Sequence, residues 1–320
     1  MKQDAKRGFA ARLFKNSTFS IFLILLVMCV VTAIAEPAFL KISNILSTAR
    51  SFSAIAIAGI GVLMVIITGG IDLSIGSVYG LAGVISAFGC SLFGLPVALA
   101  MLLGVLAGAV FGACNGLMVV FFKLPPFIAT LGTMQIARGL CTILTQGYPV
   151  SNLPAGYMYL GQGEFLRIPM AIWCMIVIAV IFAVFLNKTV TGRRIFALGG
   201  NAEATRISGI NTKALLVLVY TLGAALGSFA GIITASKLGV GQPTAGNGFE
   251  MDAIAAVVIG GASLSGGEGS VLGTIIGAAI IGILRNALVL LRVDSYWQTL
   301  IMGVVIIAAV TADQLRKGGK

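Results

Sequence analysis

The chain has 320 residues, of which 58% are hydrophobic and 10% charged, and its mean hydropathy is +1.07. Soluble domains carry about 25% charged residues, so too few are present to cover a water-facing surface, which excludes the pair of soluble domains that length alone would suggest. The net charge of +11 does not point to nucleic acid, because the basic residues flank apolar segments instead of lining a groove-reading face.

Apolar segments that can span a bilayer, at roughly 17–25 residues each, are predicted at residues 19–35, 51–68, 73–90, 96–122, 126–146, 167–187, 213–235, 250–263, 270–291 and 296–312. Together they predict an all-α, polytopic membrane helical bundle of about ten transmembrane segments. A cleaved leader is the alternative for the first segment, but the long basic lead from Met1 to Lys15 favours a retained helix. The eighth segment is short, and both it and the break at 68–76 read as re-entrant or discontinuous helices. Residues 1–18 are expected to be a cytoplasmic segment, 19–312 the transmembrane domain with a cytoplasmic loop at about 188–212, and 313–320 a cytoplasmic tail.

Orientation follows from charge. With both termini in the cytoplasm, fourteen of the 21 Lys and Arg residues fall inside, among them Arg193, Arg194 and Arg206. The other seven, including Arg50, Arg138, Lys237 and Arg285, fall outside or within spans, which is the asymmetry that sets topology. The longest outside loops are about 147–166 and 237–249.

Glycines recur every four residues within three apolar runs: Gly104, Gly108, Gly112 and Gly116; Gly223, Gly227 and Gly231; Gly269, Gly273 and Gly277. Residues four apart share a helix face, and glycine there lets two backbones approach, which in lipid replaces the hydrophobic effect as the packing force. A further echo links Thr68-Gly69-Gly70-Ile71-Asp72-Leu73-Ser74 to Gly260-Gly261-Ala262-Ser263-Leu264-Ser265. Paired glycine-interrupted segments point to a pathway at a repeat interface; chance similarity between glycine-rich stretches is the alternative.

Absences narrow the chemistry. The chain has no histidine, hence no HExxH zinc site and no Ser-His dyad, and no GxxxxGK[ST] phosphate loop. The five cysteines, Cys29, Cys90, Cys114, Cys141 and Cys174, show no metal or disulfide spacing. No catalytic residue, metal site or cofactor is expected.

Polar residues inside apolar stretches are the remaining candidates. Asp72 and Ser74 lie at the break between the second and third segments, where a buried charge costs about 3 kcal/mol unless it faces water or is paired. Arg138 and Arg285 are its candidate partners by depth. Glu250 and Asp252 open the eighth segment, where carboxylates suit a helix N-terminus, and capping is their expected role. In the loop after Lys188, Asn201 is a good N-cap, Glu203 sits in the first turn, Gly209 is placed to close a short helix, and Glu203 can pair with Arg206. An ordinary solvated loop helix is the alternative.

Several of these runs occur together in order. Ile67–Ser77 (ITGGIDLSIGS), Pro126–Gly132 (PFIATLG) with Arg138-Gly139, and Gly192-Arg193-Arg194 are followed by Ala197–Asn201 (ALGGN) and Ala204–Ile210 (ATRISGI). Gln242–Gly246 (QPTAG), Glu250–Val258 (EMDAIAAVV) and Gly260-Gly261 then complete the series. From about residue 40 onward the chain resembles the permease subunits of bacterial sugar ABC importers of the ribose/xylose/arabinose type, and the ribose-type permeases above all. The resemblance implies a second permease in a homodimer or heterodimer, a cytoplasmic ATP-binding subunit and a periplasmic or lipid-anchored sugar-binding protein. It implies that the loop bearing Arg193, Arg194, Asn201, Glu203, Arg206, Ser208 and Gly209 couples to the ATPase. Asp72, Ser74, Arg138, Glu250 and Asp252 are then candidates for the translocation pathway and its helix breaks. The competing readings are a secondary carrier using Asp72 for an ion or proton, and a membrane scaffold without transport.

Overall fold

The computed structural model describes residues 17–318, with side chains for 19–308, 310 and 311. The expected cytoplasmic lead lies outside the described residues up to Asn16, as do the last two residues of the expected tail. Among the described residues, thirteen α-helices carry the fold: α1 (Ser17–Ala35), α2 (Ile42–Ile67), α3 (Ile75–Ser91), α4 (Val97–Phe121), α5 (Pro126–Thr145), α6 (Ala155–Gln162), α7 (Met170–Lys188), α8 (Val190–Gly200), α9 (Ala202–Ile207), α10 (Thr212–Leu238), α11 (Phe249–Ile259), α12 (Val271–Leu290) and α13 (Ser295–Gly318). A two-residue antiparallel ribbon, β1 (Glu164–Phe165) with β2 (Ile168–Pro169), precedes α7.

Six helices, α2, α4, α5, α7, α10 and α12, are long and apolar enough to cross a membrane. Residues 19–35 of α1, α3, and residues 295–308 of α13 form shorter apolar helices. The protein is an all-α, polytopic membrane protein. Burial separates its layers: the most apolar stretch of α2 is 83% buried, against 22% for α4 and α7. Thus α2 forms the centre, while α4 and α7 turn apolar faces, such as Leu102, Leu106 and Val110 on α4 and Val177, Val180 and Ile181 on α7, toward lipid.

Backbone approach, not side-chain interdigitation, joins the central helices. On one face of α10, a Cβ on Gly231 would strike the backbone of Tyr79, and one on Gly227 would strike the Ile75 side chain. A Cβ on Gly61 of α2 would lie 2.6 Å from the Gly223 carbonyl. The glycines of α4 approach α10 from another side, with Gly108 against Ser228, Gly112 against Tyr220 and Ala224, and Gly116 2.6 Å from the Val217 Cα by the same measure; Gly104 instead faces Ala82 of α3. In the third run, Gly273 meets Gly260 and Gly277 meets Ala256 of α11, whereas Gly269 faces Leu63 of α2.

Several boundaries and loops differ from expectation. α2 starts at Ile42, nine residues before the expected 51, because Asn44, Ser47, Thr48, Arg50 and Ser51 lower the local hydropathy. That stretch is nonetheless helical, and Thr48, Ser51 and Ser53 satisfy their hydroxyls on carbonyls four residues back. The 147–166 loop contains α6, which buries Tyr157 and docks through the Gly161 N–H on Ser236 Oγ at 2.6 Å. The 237–249 segment is not a free loop. It pairs Gly241 with Val150 and then runs along α3, placing the Ala245 carbonyl against Gly80 and Gly246 against Gly76.

A direct test of these contacts is Gly231→Val set beside Gly132→Val, where nothing lies within 4 Å of an added Cβ. Overpacking at Gly231 is expected to cost about 1–3 kcal/mol or more. It should lower the thermal transition of the detergent-purified protein by size-exclusion assay, while Gly132→Val leaves it unchanged. Equal behaviour of the two variants would contradict the backbone contact.

Candidate translocation pathway and coupling surface

α2 ends in a turn set by two glycine-assisted hydrogen bonds. The Gly69 N–H donates to the Ile66 carbonyl at 2.8 Å and the Gly70 N–H to Val65 at 3.0 Å, with Gly69 at φ +79°. Asp72 then closes an Asx turn: its Oδ1 accepts from the Ser74 N–H at 2.8 Å and the Ser74 hydroxyl at 2.6 Å. The Asn115 amide of α4 donates to Ser74 Oγ at 2.9 Å, and Thr133 of α5 donates to Asn115 Oδ1 at 2.7 Å. A buried polar chain therefore ties the break to two neighbouring helices. Asp72 Oδ2 and the Tyr220 hydroxyl, both buried, have no hydrogen-bond partner among the described residues.

Neither arginine expected to partner Asp72 does so. Arg138 donates to the carbonyls of Pro243 at 2.6 Å and Ala245 at 2.9 Å, so it holds the returning 239–248 segment against α5. Arg285 pairs with Asp252, its Nη2 lying 2.6 Å from Oδ2 and 2.7 Å from Oδ1. Depth along the sequence gives a level in the bundle but not a face, and both arginines face α11 and the segment leading into it. Asp252 is accordingly an ion-pair partner, not the cap expected of it, and the N-cap of α11 is Gly248, with no side-chain cap bond. Glu250 packs its carboxylate on Gly76 at the start of α3.

Two cavities adjoin the Asp252–Arg285 pair. One, of about 390 Å³, lies among α2, α3, α10, α11 and α12; the other, of about 460 Å³, lies among α11, α12 and α13. Asn44 and Asn286 exchange hydrogen bonds at 3.1 and 2.8 Å between α2 and α12, at the edge of the first cavity.

At the end of the bundle where α2 stops, α8 and α9 form a surface element. Thr189 caps α8 by accepting from the Gly192 N–H at 3.0 Å, and Arg193 and Arg194 are exposed on it. Asn201 caps α9 by accepting from the Ala204 N–H at 2.8 Å. Glu203 and Arg206 form a two-point ion pair at 2.6 and 3.0 Å that holds the Glu203 carboxyl below its usual range and the guanidinium above its own. Ser208 donates to the Ala204 carbonyl at 2.9 Å, and Gly209, at φ +79°, ends the helix. Ile207 is 72% exposed.

Sequence reasoning missed the joint beneath this element. A Cβ on Gly199 would collide with the Ile67 carbonyl that ends α2, and the Gly267 N–H donates to that same carbonyl at 2.8 Å. One carbonyl thus gathers the end of α8, the break after α2 and the turn after α11. The Gly199-Gly200 pair was its one visible signal. Asn115, Thr133, Asn44 and Asn286 were missed as well, because single polar residues in apolar runs carry no partner information.

Discontinuous helices whose ends bring polar side chains together inside a lipid-embedded bundle are the mark of a membrane transport protein. A family profile described as branched-chain amino acid transport system / permease component matches residues 44–310. The chain is 44% identical over 295 residues to the ribose import permease protein RbsC of Bacillus subtilis, covering 92% of this chain and 91% of that one. It is 42% identical over 302 residues to RbsC of Escherichia coli K12, covering 92% of each, and 34% identical over 311 residues to the D-allose transport system permease protein AlsC of the same strain, covering 97% and 95%. No solved structure matches it. The chain belongs to this family of transport permeases and is a multi-pass inner-membrane protein. Nothing in these relatives supports the ion-coupled alternative.

The Asp72 network makes a measurable distinction. Asp72→Asn keeps an acceptor for Ser74, whereas Asp72→Leu leaves two buried donors without it, at about 1–3 kcal/mol each. Substrate uptake into vesicles should fall modestly for the first and severely for the second at matched membrane levels. Loss of uptake in Asp72→Asn with normal expression would argue for a proton- or ion-carrying carboxylate.

Proposed function

We propose that this chain is the membrane-spanning subunit of an ATP-binding-cassette importer for a monosaccharide, a ribose-like pentose or a related hexose. The observation that carries the reading is identity above 40% with the ribose import permeases across nearly the whole of both chains. In this reading the polypeptide crosses the membrane about ten times. The crossings are α1 to α5, α7, α10, the returning 239–248 segment with α11, α12 and α13, and both termini are cytoplasmic. The excess of Lys and Arg at the α8–α9 end supports that orientation. Residues 19–312 form the permease domain, flanked by short cytoplasmic ends.

The chain itself is non-catalytic. It lacks a phosphate-binding loop, so ATP is hydrolysed on a cytoplasmic partner subunit. Sugar arrives on a periplasmic or lipid-anchored binding protein, and a second permease, the same chain or a homologue, completes the pathway; nucleic acid has no part. The α8–α9 element is the contact with the ATPase. Exposed Ile207 beside the exposed Glu203–Arg206 pair offers an apolar centre with a charged rim. The Ile67–Gly199–Gly267 joint passes its displacement to both helix breaks. The Asp72–Ser74 break and the Asp252–Arg285 pair, with Arg138 and Glu250 beside them, border the path that opens. The glycine seams hold the helices as rigid bodies while it does so.

Three outcomes test this reading. Reconstituted with its ATPase and binding protein, the chain should accumulate ribose only with ATP, and the rigorously purified chain alone should show no ATP hydrolysis. Ser208→Cys in a cysteine-free background should be labelled by an impermeant maleimide from the cytoplasmic side only; labelling from outside would invert the topology. Arg206→Glu places two like charges together and reverses the charge of the rim, whereas Asn201→Ala removes a cap worth about 1 kcal/mol. Arg206→Glu should lose ATPase co-purification, Asn201→Ala should weaken it, and Arg167→Glu in the β1–β2 turn should leave it intact. Wild-type association and uptake in Arg206→Glu would remove this helix from the contact.

A further inference from the structure

The cavity among α2, α3, α10, α11 and α12 has the chemistry of a binding site within one chain. We propose that it is a low-affinity site for a neutral polyol, holding one monosaccharide on this protomer beside the Asp252–Arg285 pair. The proposal rests on the importer reading and adds to it a place where the sugar pauses.

A volume of about 390 Å³ falls at the small-ligand end of the pocket range of roughly 300–1,000 Å³. The cavity walls combine an apolar aromatic edge with polar groups. Tyr79 and Phe249 line it with ring centroids 4.3 Å apart and planes inclined at 32°, an apolar contact for the C–H groups of a sugar ring. Arg285 spends only Nη2 on Asp252, so Nε and Nη1 make no other hydrogen bond among the described residues. Thr234, which accepts from the Tyr79 hydroxyl, keeps its own hydroxyl hydrogen to donate, while Ser51 and Asn286 are held by Ser47, Lys237 and Asn44 and leave acceptor lone pairs toward the cavity.

Charge argues for a neutral ligand. Asp252 offsets Arg285, and Glu164 lies 3.7 Å from Arg50, so two of the three cations at the cavity are already paired. Lys237 donates to Ser51 Oγ at 3.0 Å and has no acidic partner among the described residues. The Lys237 ammonium suits a ring or hydroxyl oxygen and repels a cationic ligand. A phosphorylated sugar or free phosphate would bring its own negative charge beside Asp252, which a neutral polyol does not.

The cavity is also a blind end. Below Ala54 and Ile55 the α2 side chains are buried without interruption to Ile67, and Gly59 packs against Thr274 of α12. Exposure rises the other way, through Ser51, Leu238 and Val289. A molecule entering from that end stops at the Asp252–Arg285 pair, with the second cavity on the far side. The ion pair is therefore both a wall of the site and the partition a sugar would pass.

The experiment is cysteine protection in the permease–ATPase complex with a cysteine-free background. Ser51→Cys reports the cavity, and Ser151→Cys, exposed in the 147–166 loop and outside the cavity lining, is the reference. Ribose should slow maleimide labelling at position 51 about tenfold once free sugar is roughly ten times its Kd, and leave position 151 unchanged. Inorganic phosphate should give no protection. Thr234→Val in the Ser51→Cys background should shift the protection curve to higher ribose. Absence of protection at position 51 in a complex that still accumulates ribose with ATP and its binding protein would overturn the site and leave the importer reading standing. Protection by phosphate instead of ribose would overturn the polyol assignment. A complex that accumulates no sugar under any of these conditions would defeat the importer reading and the site with it.

Discussion

In a bilayer, lipid tails solvate an apolar helix as well as another helix does, so the bundle depends on how closely its backbones can approach. α10 concentrates that constraint. Its glycines admit α2 and α3 along one side, and the glycines of α4 admit it along another. Ser228 and Tyr220 fill the spaces these contacts leave, and Ser228 returns its hydroxyl to the Ala224 carbonyl at 2.8 Å. At Gly61, Gly231 and Gly116 an added Cβ meets backbone, which cannot rotate away, and at Gly227 and Gly108 it meets the Ile75 and Ser228 side chains. The central helices are thereby fixed as rigid bodies, and freedom to move is left to the places where helices stop.

Two such places are built alike. The turn after α2 and the turn after α11 each combine a left-handed glycine, Gly69 or Gly261, with the same pair of bonds to carbonyls three and five residues back. The Gly261 N–H donates to Val258 at 2.9 Å and the Ala262 N–H to Val257 at 3.1 Å, as Gly69 and Gly70 do to Ile66 and Val65. The sequence echo between these segments thus corresponds to a shared local structure. Both turns lie at the same end of the bundle and meet at the Ile67 carbonyl. Their exits differ: an Asx turn leads into α3, whereas Ser270 caps α12 by accepting from Gly273.

Much of this architecture was legible because it is written in composition and period. Apolar runs located α4, α5, α7, α10 and α12 to within a few residues, and the cap residues Asn201 and Gly209 marked α9. Legibility ended where polar residues interrupt a buried helix, as at Asn44 to Ser51, since hydropathy counts the side chain and ignores the hydroxyl's bond to its own helix. It ended again at pairing. Asp72 with Arg138 was a reasonable match of opposite charges at similar depth. The arginine instead takes carbonyls from a segment that turns back into the bundle, and backbone acceptors leave no trace in a sequence. Asp252 looked like a cap because its partner lies 33 residues away on another helix.

The joint at Ile67 connects these separate parts into a mechanical argument. Gly199 sits against the carbonyl of Ile67 with no room for a side chain, so α8 cannot shift without moving the end of α2. The same carbonyl accepts from Gly267, so the turn between α11 and α12 shifts with it. Those two helices carry Asp252 and Arg285, which face each other across the partition between the two cavities. A displacement of α8–α9 therefore reaches the ion pair through backbone contacts and helical segments, without a flexible side chain in the first step. Separation of α11 from α12 would break a contact between two charges that have few other partners in the bundle, and a polar ligand at that level could take over part of their hydrogen bonding. Opening the partition is then least costly when a ligand is present to replace the contact that is lost.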